Sequence, residues 1–182
     1  YGHLLIMSLL DRTDDTTLLA SSLIDPVISE GLNELAKDKF AHLPLLYLLA
    51  PNDRRFFNPA IVEVMSFANG TKEGEEPSTS KKPTEQRRSE LLTAMSEHLV
   101  DMCLEHSAEL MCSPVGSTVL MMTLSKLDLF TTEEIKAKIF TKLASIITGS
   151  DEVVINFIGN HSIQKIILEC GVNQENGFWH YM

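Results

Sequence analysis

Basic side chains are in short supply: 15 Lys and Arg face 25 Asp and Glu, for a formal charge of −10 and a pI near 5.0. That balance opposes a protein enclosing nucleic acid in a general positive field, because phosphate binding ordinarily shows itself as a basic surface. Aromatic residues are only 7% of the chain. Sustained period-two alternation bounded by turn residues is also missing, so strands have little support. The three cysteines, Cys103, Cys112 and Cys170, are odd in number and lack a paired short spacing. Reduced thiols in an intracellular compartment fit them better than a disulfide framework. No apolar run approaches the roughly 20 residues that span a bilayer, and Leu4 to Leu10 lacks the basic flank of a signal peptide. His-Glu-x-x-His, a glycine-rich phosphate loop and a nucleophile elbow are absent, so nothing points to an enzyme, a cofactor or a small-molecule substrate.

What is present is aliphatic. Hydrophobic residues make up 44% of the 182 positions, with Leu, Ile and Met supplying most of the volume, enough for a continuous core and too much for general disorder. A short helix opening recurs four times, at Tyr1-Gly2-His3-Leu4, Phe40-Ala41-His42-Leu43, Val115-Gly116-Ser117-Thr118 and Ile158-Gly159-Asn160-His161. Each is a bulky apolar residue, a Gly or Ala and a short polar residue ahead of an aliphatic run. Two of the three intervals lie close to the roughly 40-residue period of helical solenoids. The expected fold is all-α, a solenoid of stacked repeats. Its first residues read as the middle of a repeat, which predicts a longer parent chain.

Between Thr16 and Ala36 a helical stripe is interrupted by Pro26, leaving one kinked helix or two tightly joined ones. A helix from near Lys39 to Leu49 is apolar on most sides, as in a layer buried between neighbours; Pro59 to Phe67 reads as another. Residues 69–89 are polar, basic and rich in Gly, Pro and Ser, which predicts a flexible insertion and explains the one overlong interval. Order is expected again from Glu90, where Leu92, Met95, Leu99, Met102 and Cys103 form a stripe, followed by a helix from Ser113 to Leu127. Thr131 and Glu134 suggest a capping box for a helix carrying Ile135, Ile139, Leu143, Ile146 and Ile147 and stopped by Gly149. A last helix covers Gly159 to Cys170. The organisation is thus repeats over 1–68, the insertion 69–89, repeats over 90–171 and an atypical tail 172–182.

Asp14-Asp15-Thr16, Asp38-Lys39-Phe40 leading into Leu45-Leu46-Tyr47-Leu48-Leu49, and Lys81-Lys82-Pro83-Thr84-Glu85-Gln86-Arg87-Arg88 leading into Glu90-Leu91-Leu92 resemble the Puf-A/Penguin branch of Pumilio-type (Puf) repeat proteins. The likeness covers roughly Tyr1 to Leu127 well and Val154 to Cys170 more loosely. It implies a curved or L-shaped stack of Puf-like repeats, of which this would be the C-terminal portion. It also implies binding of nucleic acid with little sequence preference during nucleolar ribosome assembly.

In sequence-specific Puf proteins each repeat reads a base with two polar side chains one helical turn apart and a stacking residue between them. The corresponding sets here are His3, Leu4 and Met7; His42, Leu43 and Leu46; Ser117, Thr118 and Met121; and Asn160, His161 and Gln164. Leu and Met cannot read a base edge, so only the last set is complete. It remains open between a base contact and the plainer reading of Asn160 as a helix cap with Gln164 solvated. Binding through phosphates would fall to Lys81, Lys82, Arg87 and Arg88, with Arg54 and Arg55 after the second repeat, unless these simply solubilise a linker and a helix start. Asp14 and Asp15 read as capping acids. Cys103, His106 and Cys112 lack a fourth ligand for zinc, so no metal site is expected.

The expected function is phosphate-directed, largely sequence-independent RNA binding within a nuclear, nucleolar factor for pre-rRNA processing. The alternative is an acidic scaffold docking basic ribosome-assembly proteins, with RNA held by upstream repeats.

Overall fold

The computed structural model describes residues 2–28, 31–51, 53–67, 82–149 and 151–171, and every regular element among them is helical. In chain order these are α1 (Gly2–Arg12), α2 (Thr16–Leu19) continuing into a π-helical stretch (Ala20–Ile28), α3 (Leu32–Lys37), α4 (His42–Leu49) and α5 (Pro59–Phe67). There follow α6 (Thr84–Glu105), α7 (Ser107–Met111), α8 (Gly116–Ser125), a 3-10 turn (Leu127–Leu129), α9 (Glu133–Gly149), α10 (Asp151–Ile155) and α11 (Phe157–Gly171).

The four recurrent openings start four helices of one layer. α1 packs on α4, α4 on α8 and α8 on α11, so consecutive repeats lie side by side as in a helical solenoid. The 22-residue α6 supports this row, packing against α1 and α4 as well as α2, α3, α7 and α9. Its expected stripe is the seam: Leu92, Met95, Leu99, Met102 and Cys103 are all buried, together with Leu91. Every residue of α4 from Pro44 to Leu49 is buried, as its all-round apolar character requires. Each such Leu stabilises the stack by about 1.5–3 kcal/mol relative to exposure.

The small residue of the openings has a steric origin in two of the four. A Cβ on Gly159 would stand 2.3 Å from the carbonyl oxygen of Val153, and one on Gly116 would stand 2.9 Å from Leu110 Cδ2 and 3.2 Å from the Leu110 carbonyl. Both contacts come from the short helix just upstream, α10 or α7, which crosses the start of its partner. Among the described residues, nothing beyond its chain neighbours and its own helix backbone lies within 4 Å of the equivalent position at Gly2.

Several boundaries differ from expectation. Pro26 causes no break where it stands: the helix widens into the π-helical stretch around it, a local response to its missing N–H. α6 starts at Thr84, so residues 84–89 belong to a helix and not to the insertion. Of the insertion expected over 69–89, residues 69–81 lie outside the described residues, as does the tail 172–182. At α9 the cap is Thr132, whose hydroxyl accepts from Ile135 N at 3.4 Å, while Thr131 donates to the Leu127 carbonyl at 2.9 Å.

Candidate nucleic-acid interface

In the densest basic segment the described cations, Lys82, Arg87 and Arg88, all bond within the fold. Arg87 is 3% exposed, ion-paired to Asp14 at 3.2 Å, and donates to Thr84 Oγ1 at 3.1 Å and to the carbonyls of Asp11 and Lys82. Arg88 donates through Nε to the Leu48 carbonyl at 2.6 Å and through Nη2 to the Leu49 carbonyl at 2.7 Å, placing its charge on the negative end of α4. Lys82 Nζ lies 2.6 Å from Glu90 Oε2 and 3.3 Å from Thr16 Oγ1. Hydrogen bonds from Lys82, Thr16 and Gln86 hold the Glu90 carboxyl down at about 2. The sequence brought these cations forward as phosphate ligands; the structure makes them the clasp fastening the start of α6 onto α1, α2 and α4. Arg87, at 3% exposure, has very little surface to offer a phosphate. Lys81 lies outside the described residues.

The base-reading positions resolve just as clearly. Met7, Leu46 and Met121, the second edge positions of the first three repeats, are buried in the core. Asn160 and Gln164 are exposed and bonded to each other, Gln164 Nε2 to Asn160 Oδ1 at 2.8 Å, with His161 exposed beside them. Asn160 is not the helix cap. That place belongs to Asn156, whose Oδ1 accepts from Ile158 N at 2.9 Å and Gly159 N at 3.0 Å. At α1, His3 stacks on Phe40, centroids 5.6 Å apart and rings inclined by 14°.

A groove of about 500 Å³ crosses the repeat row. α4 lends it His42 and Leu46, and the segment before α8 together with α8 lends Pro114, Val115, Thr118 and Met121. Lys165 comes from α11, and Arg55 and Phe56 from the loop after α4. The floor is apolar and the rim carries Arg55, Lys165 and His42, whose Nδ1 lies 2.8 Å from the Asp38 carbonyl. Arg55 is held edge-on by Asp53, with Nε 3.2 and 3.1 Å from the two carboxylate oxygens and Nη2 2.9 Å from Oδ2. This pairing lowers the Asp53 carboxyl below its ordinary range. The Arg55 guanidinium also lies over the Phe56 ring, 5.3 Å from its centroid. Arg54 beside it is exposed.

Of the candidate contacts singled out from sequence, the groove brings together His42 and Arg55, and with them Leu46, Thr118 and Met121 of the second and third base-reading sets. Asn160, His161 and Gln164 stay on the exposed face of α11. Lys165 and Phe56 were missed: a search for runs of charge passes over a lone Lys, although its place one residue after Gln164 puts it on the helix of the complete triplet.

A second groove, of about 400 Å³ between α3 and α6, is lined by Glu34, Asp101 and Glu105 with His98 and His106. Nearby, Glu109 accepts from Lys37 and from Asn33 Nδ2, 2.9 Å away, and these bonds hold its carboxyl below the usual range. Among the described residues no trio of His, Cys, Asp or Glu is placed to hold a metal, and no helix is long and apolar enough to cross a membrane.

Comparison with known proteins agrees with this architecture. The CPL (NUC119) domain family matches residues 37–174. Pumilio homolog 3 of Homo sapiens is 37% identical over 109 residues, which is 60% of this chain and 16% of the relative. Pumilio homology domain family member 6 of Saccharomyces cerevisiae is 35% identical over 94 residues, 51% of this chain and 13% of the relative. The crystal structure of human Puf-A aligns with a TM-score of 0.75 at 26% identity, covering 92% of this chain and 32% of that one. Human Puf-A in complex with DNA aligns at 0.77, also at 26% identity, covering 93% and 32%. This chain therefore spans a small part of the length of its curated relatives. Four stacked repeat helices and a family match over most of the sequence show that it belongs to the CPL (NUC119) domain family of Puf-A-like Pumilio-type helical repeat proteins.

Proposed function

We propose that this chain is a sequence-independent, phosphate-directed RNA-binding segment of a nucleolar factor for pre-rRNA processing, with the strand crossing α4, α8 and α11. The observation that carries the reading is the groove across these helices, where Lys165, Arg55 and His42 ring an apolar floor with no carboxylate among its described lining residues. Burial of Met7, Leu46 and Met121 supports binding without a base code, since those positions present no edge-reading groups. The human Puf-A complex with DNA supports nucleic acid as the ligand class. Lys165 and Arg54 are the phosphate contacts in this reading.

The test is RNA affinity against salt for the full chain, with an oligouridine and a hairpin. For the single strand, Lys165→Ala with Arg54→Ala is expected to reduce the slope of log affinity on log salt by about 1.4, roughly 0.7 per lost contact. An affinity independent of salt overturns the reading.

The α3–α6 groove supports a second reading, in which Glu34, Asp101 and Glu105 dock basic ribosome-assembly proteins. Pull-down of basic ribosomal proteins, lost on replacing the three acids by their amides, is its expected outcome.

A further inference from the structure

The structure assigns a buried hydration site to the clasp: a cavity between α1, α4 and the start of α6 holds water that donates to Asp11 and accepts from Arg88. The site is independent of the nucleic-acid reading and shares no lining residue with the groove across α4, α8 and α11.

Asp11 stands one residue before the end of α1 and is 3% exposed. One of its carboxylate oxygens, Oδ1, accepts from the Tyr47 hydroxyl at 2.9 Å. Burial, and after it the carboxylate alongside, push the Tyr47 phenol above its ordinary range, so the hydroxyl keeps its proton and donates it. The other oxygen, Oδ2, is buried too and receives no hydrogen bond from the described residues. A buried carboxylate oxygen in that position bears the full cost of its lost hydration unless a donor reaches it.

Asp11 lines a cavity of about 60 Å³ together with Tyr47 and Leu48 of α4 and Thr84 and Arg88 of α6. That volume suits about two water molecules at ~30 Å³ each. Arg88 supplies the opposite pole. Its Nε and Nη2 donate to the carbonyls of Leu48 and Leu49, whereas Nη1 stands 3.8 Å from Glu85 Oε2, beyond hydrogen-bond range, and has N–H groups to give. A cation in this cavity is opposed by the Arg88 guanidinium, and an anion by Asp11. Water suits both poles, donating to the carboxylate and accepting from the guanidinium, as a buried water must among polar partners. The bridge runs from α1 to α6 over the C-terminal end of α4, across the same helices that Arg87 and Arg88 fasten directly.

The test is a crystal structure of the full chain at a resolution that shows ordered water. One or two peaks are expected in the cavity, the first about 2.5–3.0 Å from Asp11 Oδ2 and the last within hydrogen-bond range of Arg88 Nη1. A cavity without a peak at Oδ2, or a protein donor bonded directly to that oxygen, overturns the assignment. Because a water peak resembles one from sodium, thermal unfolding is followed in parallel in lithium, sodium and potassium chloride at equal ionic strength. Midpoints equal to within about 1 °C are expected for water; a midpoint several degrees higher in one of the three salts is the mass-action signature of a bound ion and overturns the assignment.

Discussion

The groove across α4, α8 and α11 and the groove between α3 and α6 belong to one chain of charge −10, yet their described linings have opposite character. The first is lined by Arg55, Lys165 and His42, with the Asp53 carboxylate paired to Arg55 beside it; the second is lined by Glu34, Asp101 and Glu105, with Lys37 paired to Glu34 at 2.8 Å. Net charge is a sum over the whole surface, whereas a ligand feels charges within about one Debye length, ~8 Å at physiological salt. The overall acidity therefore does not exclude a phosphate-binding face. It describes mainly the remainder of the surface.

The comparison would break most severely if a second cationic place, the clasp of Lys82, Arg87 and Arg88, were the RNA site. Arg87→Ala is expected to cost about 3 kcal/mol in urea unfolding, because it removes a buried guanidinium together with its ion pair to Asp14 and its bonds to two backbone carbonyls. RNA binding by the folded fraction should keep its salt slope; a reduced slope at unchanged stability would make Arg87 a ligand. Next in size is Gly159→Ala. Driving a methyl into the Val153 carbonyl is expected to cost about 2 kcal/mol and to shift α11, weakening RNA binding through Lys165, whereas Gly2→Ala should leave both stability and affinity unchanged.

The contrast is sharpened by changing charge in one groove at a time. Lys165→Ala alone should lower the salt slope for a single strand by about 0.7. Replacing Glu34, Asp101 and Glu105 by their amides should alter RNA affinity by less than about twofold, since a screened surface change is worth roughly 0.5 kcal/mol or less. The smallest effect concerns Glu90, which belongs to neither groove. Its carboxyl is held at about 2 against an ordinary 4.5, so its stabilising effect is present above the ordinary value and is lost as pH falls toward 2. Glu90→Gln should accordingly differ from wild type in stability near neutral pH and converge with it by about pH 2.

The repeat layer was legible because its signals are local. An apolar stripe at helical period names α6 and α9 without reference to any partner, and the opening motif marks α1, α4, α8 and α11. Less legible was which member of a local pair does the work. Thr132 replaces Thr131 as the α9 cap, and Asn156 replaces Asn160 at α11, because a cap is defined by where the backbone leaves the helix. The basic segment was less legible for a related reason. Density of charge in sequence says nothing about whether the side chains face water, and Asp14 and Glu90 had already claimed Arg87 and Lys82.

The sequence by itself determined the helical class, the repeat period and the loss of the base-reading pair in three of the four repeats, all consequences of spacing and side-chain chemistry along one helix. Only the tertiary structure decided that Gly159 is a steric necessity and Gly116 a tight fit, and that Arg87 and Arg88 fasten helices. It also decided that a loop arginine, a lone lysine and a histidine from different repeats share one groove. Those outcomes depend on which surfaces of separate helices meet, and residues far apart in sequence acquire a common field and a common floor only once the stack has formed.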